Sequence, residues 1–181
     1  TGDPIAAEDR SKVKGVFNFN SEKLIAFIRD LNRDALNDNP IEAAAALNVN
    51  AVHFGAELER AKRKEAAGAV RFFTQPLFTE ESYRNLEHAR KELSAELFGG
   101  IMPLISHRNA CFVNNEMSGI NIPAQIVSRY EGLSRDEAEM LAVELSVQTA
   151  RQIANLVDGF YLITPFQRAG LICKVIDGIR K

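Results

Sequence analysis

Residues Glu57 to Phe78 read ELERAKRKEAAGAVRFFTQPLF, and this stretch sets the fold class. Its first half is a basic amphipathic helix that stops at Gly68. Its second half is a short apolar strand, Val70 to Phe73, that delivers a polar pair, Thr74-Gln75, to its carboxyl end. A helix feeding such a strand is the repeating unit of an α/β protein, and an apolar run of this kind suits a parallel strand covered on both sides. Arg60, Arg63 and Lys64 stand at i, i+3 and i+4, so three cations share one helical face and can meet a phosphate-bearing ligand. A plainer account is a solvated, ion-paired face, with Glu57 reaching Arg60 and Glu59 reaching Arg63.

The same alternation extends outward in both directions. Asn20 or Ser21 caps a helix with Leu24, Ile25, Phe27, Ile28 and Leu31 at helical spacing, and Pro40 lies beyond its end. Ala43 to Leu47 is the first strand. After the central stretch, Thr79 with Glu80 and Glu81 opens a helix whose inner face runs Tyr83, Leu86, Ala89, Leu93 and Leu97, with Gly99-Gly100 as its stop. Gly100 to Ile105 is the next strand. Short helices are expected over 107–115 and 123–130, the second with proline in its first turn. Ser134 and Glu137 form a capping box for a long helix with Ala138, Leu141, Ala142, Leu145, Ile153 and Leu156 inward. Phe160 to Ile163 is a fourth strand, and a last helix covers about 167–179.

Four strands separated by helices are too far apart for hairpins, which argues parallel pairing with right-handed crossovers. Two architectures compete: an open doubly wound sheet, for which no G-x-G-x-x-G or phosphate loop is present, and a (β/α)8 barrel. A barrel needs about 250 residues, so this chain of 181 residues would supply its second half. One domain over 1–181 is expected.

The totals narrow the function classes. With 46% hydrophobic and 25% charged residues, the composition is that of an ordinary globular domain. A net charge of -2 gives no electrostatic case for a nucleic acid or an anionic membrane as partner. No apolar run approaches the roughly 18 residues of a membrane span, and the amino terminus lacks a signal-peptide plan. Cys111 and Cys173 have no metal-ligand spacing and read as small buried hydrophobes in a reducing cytoplasm; no metal site is expected. Polar residues collect at strand ends: Asp3, Asn48, Thr74-Gln75, 106–109 and Thr164, with Arg168 a turn later. On a barrel these converge on one rim, although loops are polar in any fold.

The segments TGDP, GVFNFNSEKLI, LERAKRKEAAGAVRFFTQPLF, GIMPLISHRNACFVNNEMSGINIP and GFYLITPFQR, in this order, resemble methylenetetrahydrofolate reductase, most of all the reductase module of bacterial proteins fused to a homocysteine methyltransferase. The most specific match is K-x-x-A-G-A-x-x-x-x-T-Q at Lys64, Ala67, Gly68, Ala69, Thr74 and Gln75. The resemblance implies a TIM barrel of which this chain is the carboxyl-terminal half, starting at the loop after the fourth strand. It implies a cytoplasmic flavoprotein of one-carbon metabolism and methionine biosynthesis, holding FAD and using NADH or NADPH to reduce 5,10-methylenetetrahydrofolate to 5-methyltetrahydrofolate.

Carried over by position, the resemblance puts Gly2 and Asp3 beside the flavin, with Asp3 as the catalytic carboxylate. Asn48, His53, Arg60, Arg63 and Lys64 become FAD-binding residues, the last two at the diphosphate. Gln75, Phe112 and Arg168 become folate-binding residues, Val113 being an equal alignment for Phe112. Departures are present too: Leu47-Asn48 replaces a tyrosine-proline pair, and Arg60 replaces asparagine or histidine. The family's acid is a glutamate on the first barrel strand, outside this chain. The chain alone is therefore expected to be inactive and to need the other barrel half, with a homo-oligomer as the expected assembly. The alternative is a catalytically incomplete half barrel serving as a binding or assembly module.

Overall fold

The computed structural model describes residues 9, 11–13, 19–164 and 167–181. Its elements alternate as expected: α1 (Ser21–Asp34), β1 (Ala43–Leu47), α2 (Phe54–Ala67), β2 (Ala69–Pro76), α3 (Glu80–Glu92), β3 (Glu96–Ile101), α4 (His107–Glu116), α5 (Ala124–Ser128), α6 (Arg135–Ile153), β4 (Gly159–Leu162) and α7 (Ala169–Arg180). The local signals hold where they were strongest. Asn20 caps α1 through its side chain, Thr79 and Ser82 form a capping box on α3, and Ser134 with Glu137 does the same on α6. Gly68 ends α2 at φ 123°, a conformation that strains any residue with a Cβ.

The largest departure from the sequence reading is at the α3–β3 junction, while β2 also runs on to Pro76 and β3 stops at Ile101 rather than Ile105. The third helix ends at Glu92 rather than running on through Leu97, and β3 begins at Glu96 rather than Gly100. Leu93 and Leu97 keep helical spacing, but the chain is pulled straight between them. The Glu65 carboxylate accepts the amides of Ser94 and Ala95 at 2.8 and 2.6 Å, and Asp158 accepts that of Leu97 at 2.8 Å. Gly99 and Gly100 therefore lie inside the strand. They are small because their neighbours are close: a Cβ at Gly99 would sit 2.6 Å from Ile153 Cδ1.

All neighbouring strands are parallel and their spatial order is β1-β2-β3-β4. With right-handed crossovers, strands added always on the same side place every connecting helix on the same face. The packing agrees: Leu47, Phe72, Leu97 and Ile101 from the strands share one core with residues of α1, α2, α3, α6 and α7. This excludes the doubly wound alternative, which needs a reversal of strand order and helices on both faces.

The expectation that β2 would be covered on both sides is also corrected. Phe72 is fully buried beneath the helices, whereas Val70 is 46% exposed and Arg71 and Phe73 are half-buried. The face away from the helices carries the exposed Ala44 and Ala46. Beside them lies an aromatic group in which Phe73 lies 5.3 Å from Phe98 and 5.4 Å from Tyr161, ring centre to ring centre, with the Arg71 guanidinium 5.3 Å above Phe98. A second core at the carboxyl ends of the strands joins Met102, Leu104, Val113, Ile122, Tyr130 and Leu141, so α4, α5 and the start of α6 are anchored there.

Candidate functional site at the carboxyl ends of the strands

The chain leaving β1 is held by a compact polar clamp. The amide of Asn48 donates to Glu57 Oε1 at 3.3 Å, and the Asn48 side chain accepts the amide of Asn50 at 3.0 Å, the short-range bond that makes Asx turns. Asn50 then reaches outward: its Nδ2 donates to the carbonyls of Pro76 at 3.1 Å and Gly119 at 2.8 Å. One amide thus ties the ends of β1 and β2 to the loop between α4 and α5. Gly119 has φ 81°, and a Cβ there would come within 3.1 Å of Asn48 Nδ2, so that loop closes only with glycine. Pro76 follows Gln75 directly, so the clamp locates the candidate glutamine relative to β1.

The basic helix is less uniform than its spacing implied. Lys64 is 6% exposed, and its Nζ donates to the Ala46 carbonyl at 2.8 Å. Loss of hydration lowers its pKa, the nearby Glu57 carboxylate opposes that shift, and Arg60 adds to it. Arg60 and Arg63 are exposed. Arg60 pairs with the buried Glu57 at 2.8 Å, as read from the sequence. Arg63 pairs with Glu22 of α1 at 3.3 Å rather than with Glu59, which takes Lys62 at 3.1 Å. The three cations thus do not share one open face, because a buried lysine on the strand side cannot turn outward with its neighbours.

The remaining sequence candidates fall as follows. His53 is exposed at the start of α2, and Gln75 is half-buried at the end of β2. Phe112 is 57% exposed on α4 while Val113 is buried in the second core, so of the two alignments only Phe112 presents a ring to solvent. Arg168 starts α7 with its Nη1 buried and unbonded among the described residues, 3.9 Å from Glu139 Oε2. Glu139 is itself held by Lys174 at 2.6 Å. Gly2 and Asp3 lie outside the described residues. Cys111 is half-buried and Cys173 exposed, correcting the expectation that both would be buried. The helix surfaces on which they lie are not part of either core.

The clamp joins residues between Asn48 and Gly119, and the match to a known family runs over nearly the whole chain. The sequence profile of the methylenetetrahydrofolate reductase family matches residues 1–179. The chain belongs to this family. Among solved structures, the reductase-family chain is similar to one described as an uncharacterized protein from Clostridium thermocellum that binds two copies of 5-methyl-5,6,7,8-tetrahydrofolic acid. The TM-score is 0.60 at 11% identity, covering 90% of this chain and 59% of that one. At that identity the likeness is one of fold, and this chain spans 59% of that structure's length. No curated protein matches the sequence. Among the described residues no cluster suited to a metal ion occurs, and no helix is long and apolar enough to cross a membrane.

Asn50 was not singled out by sequence reading, and Glu57 was read only as an ion-pair partner of Arg60, not as a buried member of the clamp. The Asn-Val-Asn triplet directly after a strand was the available signal for the first, since asparagine side chains close turns onto their own backbone. For Glu57 there was none, because its burial depends on where β1 lies against α2.

Proposed function

We propose that this chain is the folate-binding half of a (β/α)8 methylenetetrahydrofolate reductase, reducing 5,10-methylenetetrahydrofolate to 5-methyltetrahydrofolate with bound FAD and NADH or NADPH. The observation that carries this reading is a singly wound parallel sheet, in a member of this family, whose strand ends hold Asn48, the Asn50 clamp and Gln75. Ligands of parallel α/β barrels bind on that rim.

Several features support the barrel arc. β1 and β4 each pair on one side only among the described residues. Among the described residues the face away from the helices has no covering element, and its aromatic group has the character of a barrel interior. A groove of about 500 Å³ runs between α1 and β1, lined by Leu24, Ile25, Ile28 and Ala44 to Ala46. In this reading the chain is a single domain, 1–181, that needs its other barrel half to turn over.

The donor set fits a flavin dinucleotide. Arg60 and Arg63 lie one helical turn apart and exposed, and their surface ion pairs are worth only about 0–1 kcal/mol, so a diphosphate can take them over. Lys64 adds charge from behind, and Asn48 and His53 flank the same helix start. Gly2 and Asp3 would stand beside the flavin ring. Bound flavin would supply the two-electron carrier between nicotinamide and the folate methylene. The chain's own residues bind and orient: the Gln75 amide can both donate to and accept from the pterin edge, Phe112 offers a ring for stacking, and Arg168 a cation for an anionic group of the substrate.

The test is made on the complete reductase containing this chain. Gln75→Ala should raise the KM for methylenetetrahydrofolate about tenfold to a hundredfold, the worth of one or two polar contacts left unpaired, with FAD content unchanged. An unchanged KM would remove Gln75 from the site. The internal pairing of all three helix cations favours one rival, a half barrel acting as a binding or assembly module. A wild-type protein that neither retains nor takes up FAD would decide for that rival.

A further inference from the structure

The β2–β3 ladder is irregular at the point where Gln75 leaves the sheet. Phe73 stands opposite Phe98 and Pro76 opposite Gly100, so β2 spends three steps where β3 spends two. Bulges of this kind re-aim a side chain. Side chains take over the hydrogen bonding there. The amide of Gly100 donates to Thr74 Oγ1 at 3.0 Å. The Thr74 carbonyl accepts from the Tyr161 hydroxyl, which reaches across β3 from β4. Only a glycine lets it pass: a Cβ on Gly100 would sit 2.8 Å from the Tyr161 hydroxyl oxygen. The Tyr161 ring also meets Phe73 edge-on at 85°. Thr74 is 1% exposed, so its carbonyl has no water to fall back on, and losing the hydroxyl would free the peptide to turn.

We infer that Tyr161 is a positioning residue for Gln75: its hydroxyl, admitted by Gly100, holds the Thr74-Gln75 peptide so that the glutamine amide stands ready for the pterin edge of a folate. The inference rests on the folate reading given above. Burial raises the Tyr161 pKa, so the group stays a donor throughout the neutral range.

The experiment measures the dissociation constant of 5-methyltetrahydrofolate, together with FAD content and thermal stability, on the complete reductase. The variants are Tyr161→Phe, Gly100→Ala, Gln75→Ala and the double variant Gln75→Ala/Tyr161→Phe. Tyr161→Phe and Gly100→Ala should each weaken folate binding about tenfold, on the scale of one lost hydrogen bond, with FAD retained. Because Tyr161 acts through Gln75, the double variant should bind no more weakly than Gln75→Ala alone. Wild-type affinity in Tyr161→Phe, or a fully additive loss in the double variant, overturns the inference. So does loss of FAD and folded structure in both Tyr161→Phe and Gly100→Ala, which would assign the hydroxyl to the fold alone. A wild-type protein that binds no 5-methyltetrahydrofolate refutes the folate reading itself, a result separate from these.

Discussion

Replacing Tyr130 by phenylalanine should stabilise the protein. Tyr130 is 2% exposed, packed in the second core with Met102, Leu141 and Ile126, and its hydroxyl has no hydrogen-bond partner among the described residues. A buried hydroxyl left unpaired costs about 1–3 kcal/mol. Removing the oxygen leaves a void smaller than a methyl group, worth less than about 1 kcal/mol. The balance favours Tyr130→Phe by about 1 kcal/mol, which raises the Tm by about 2–4 °C in a domain of 150–250 residues. Burial also raises the Tyr130 pKa well above its ordinary 10.0. The unfolded chain then releases this proton near pH 10 while the folded one keeps it, so wild-type stability is whole below pH 10 and declines as pH rises beyond it. Tyr130→Phe lacks that decline, and its advantage should widen from pH 9 to 11 in urea titrations. A variant that is instead less stable by about 1 kcal/mol would refute the reasoning, since it would mean that the hydroxyl is satisfied, as by a buried water.

Two further outcomes follow from packing and charge. Gly99→Ala should destabilise by about 1–3 kcal/mol, because the new Cβ meets Ile153 Cδ1 at 2.6 Å and Ile153 is fully buried with nowhere to swing. Combining it with Ile153→Val should recover part of the loss in thermal melts, and no recovery would mean that the strand backbone, not the isoleucine, absorbs the strain. Lys64 has a pKa lowered by burial from 10.5. Between its folded value and 10.5 the unfolded chain binds a proton that the folded chain lacks, so stability rises with pH across that window. Lys64→Met should lose this rise in urea titrations up to pH 10, and parallel curves for the two proteins would show that the lysine titrates normally.

The proposed site residues were picked out in the sequence because strand ends and helix starts are marked by local chemistry. Gln75 follows an apolar run after a glycine stop, Phe112 lies in the second turn of α4, and Arg168 directly precedes α7. The clamp was not legible. Asn50 bonds Pro76 and Gly119, and Tyr161 bonds Thr74 across 87 positions of sequence, and such contacts exist only once strand order is known. The cationic stripe was read from a spacing that does place three cations along one helix, but spacing does not say which side of the helix the strand covers.

The sequence by itself determined which segments become helix or strand, since caps, periodicity and the Gly68 stop act over a few residues. The parallel direction followed from connection length alone. Tertiary structure decided the rest. Adding strands in the order β1-β2-β3-β4 puts the helices packed on the sheet on one side and the aromatic group on the other. It makes Leu97 a strand residue because Asp158 accepts its amide, and it buries Lys64 against the Ala46 carbonyl. Those outcomes depend on which groups must share water-free space. Distant parts of a chain settle that question only when they meet.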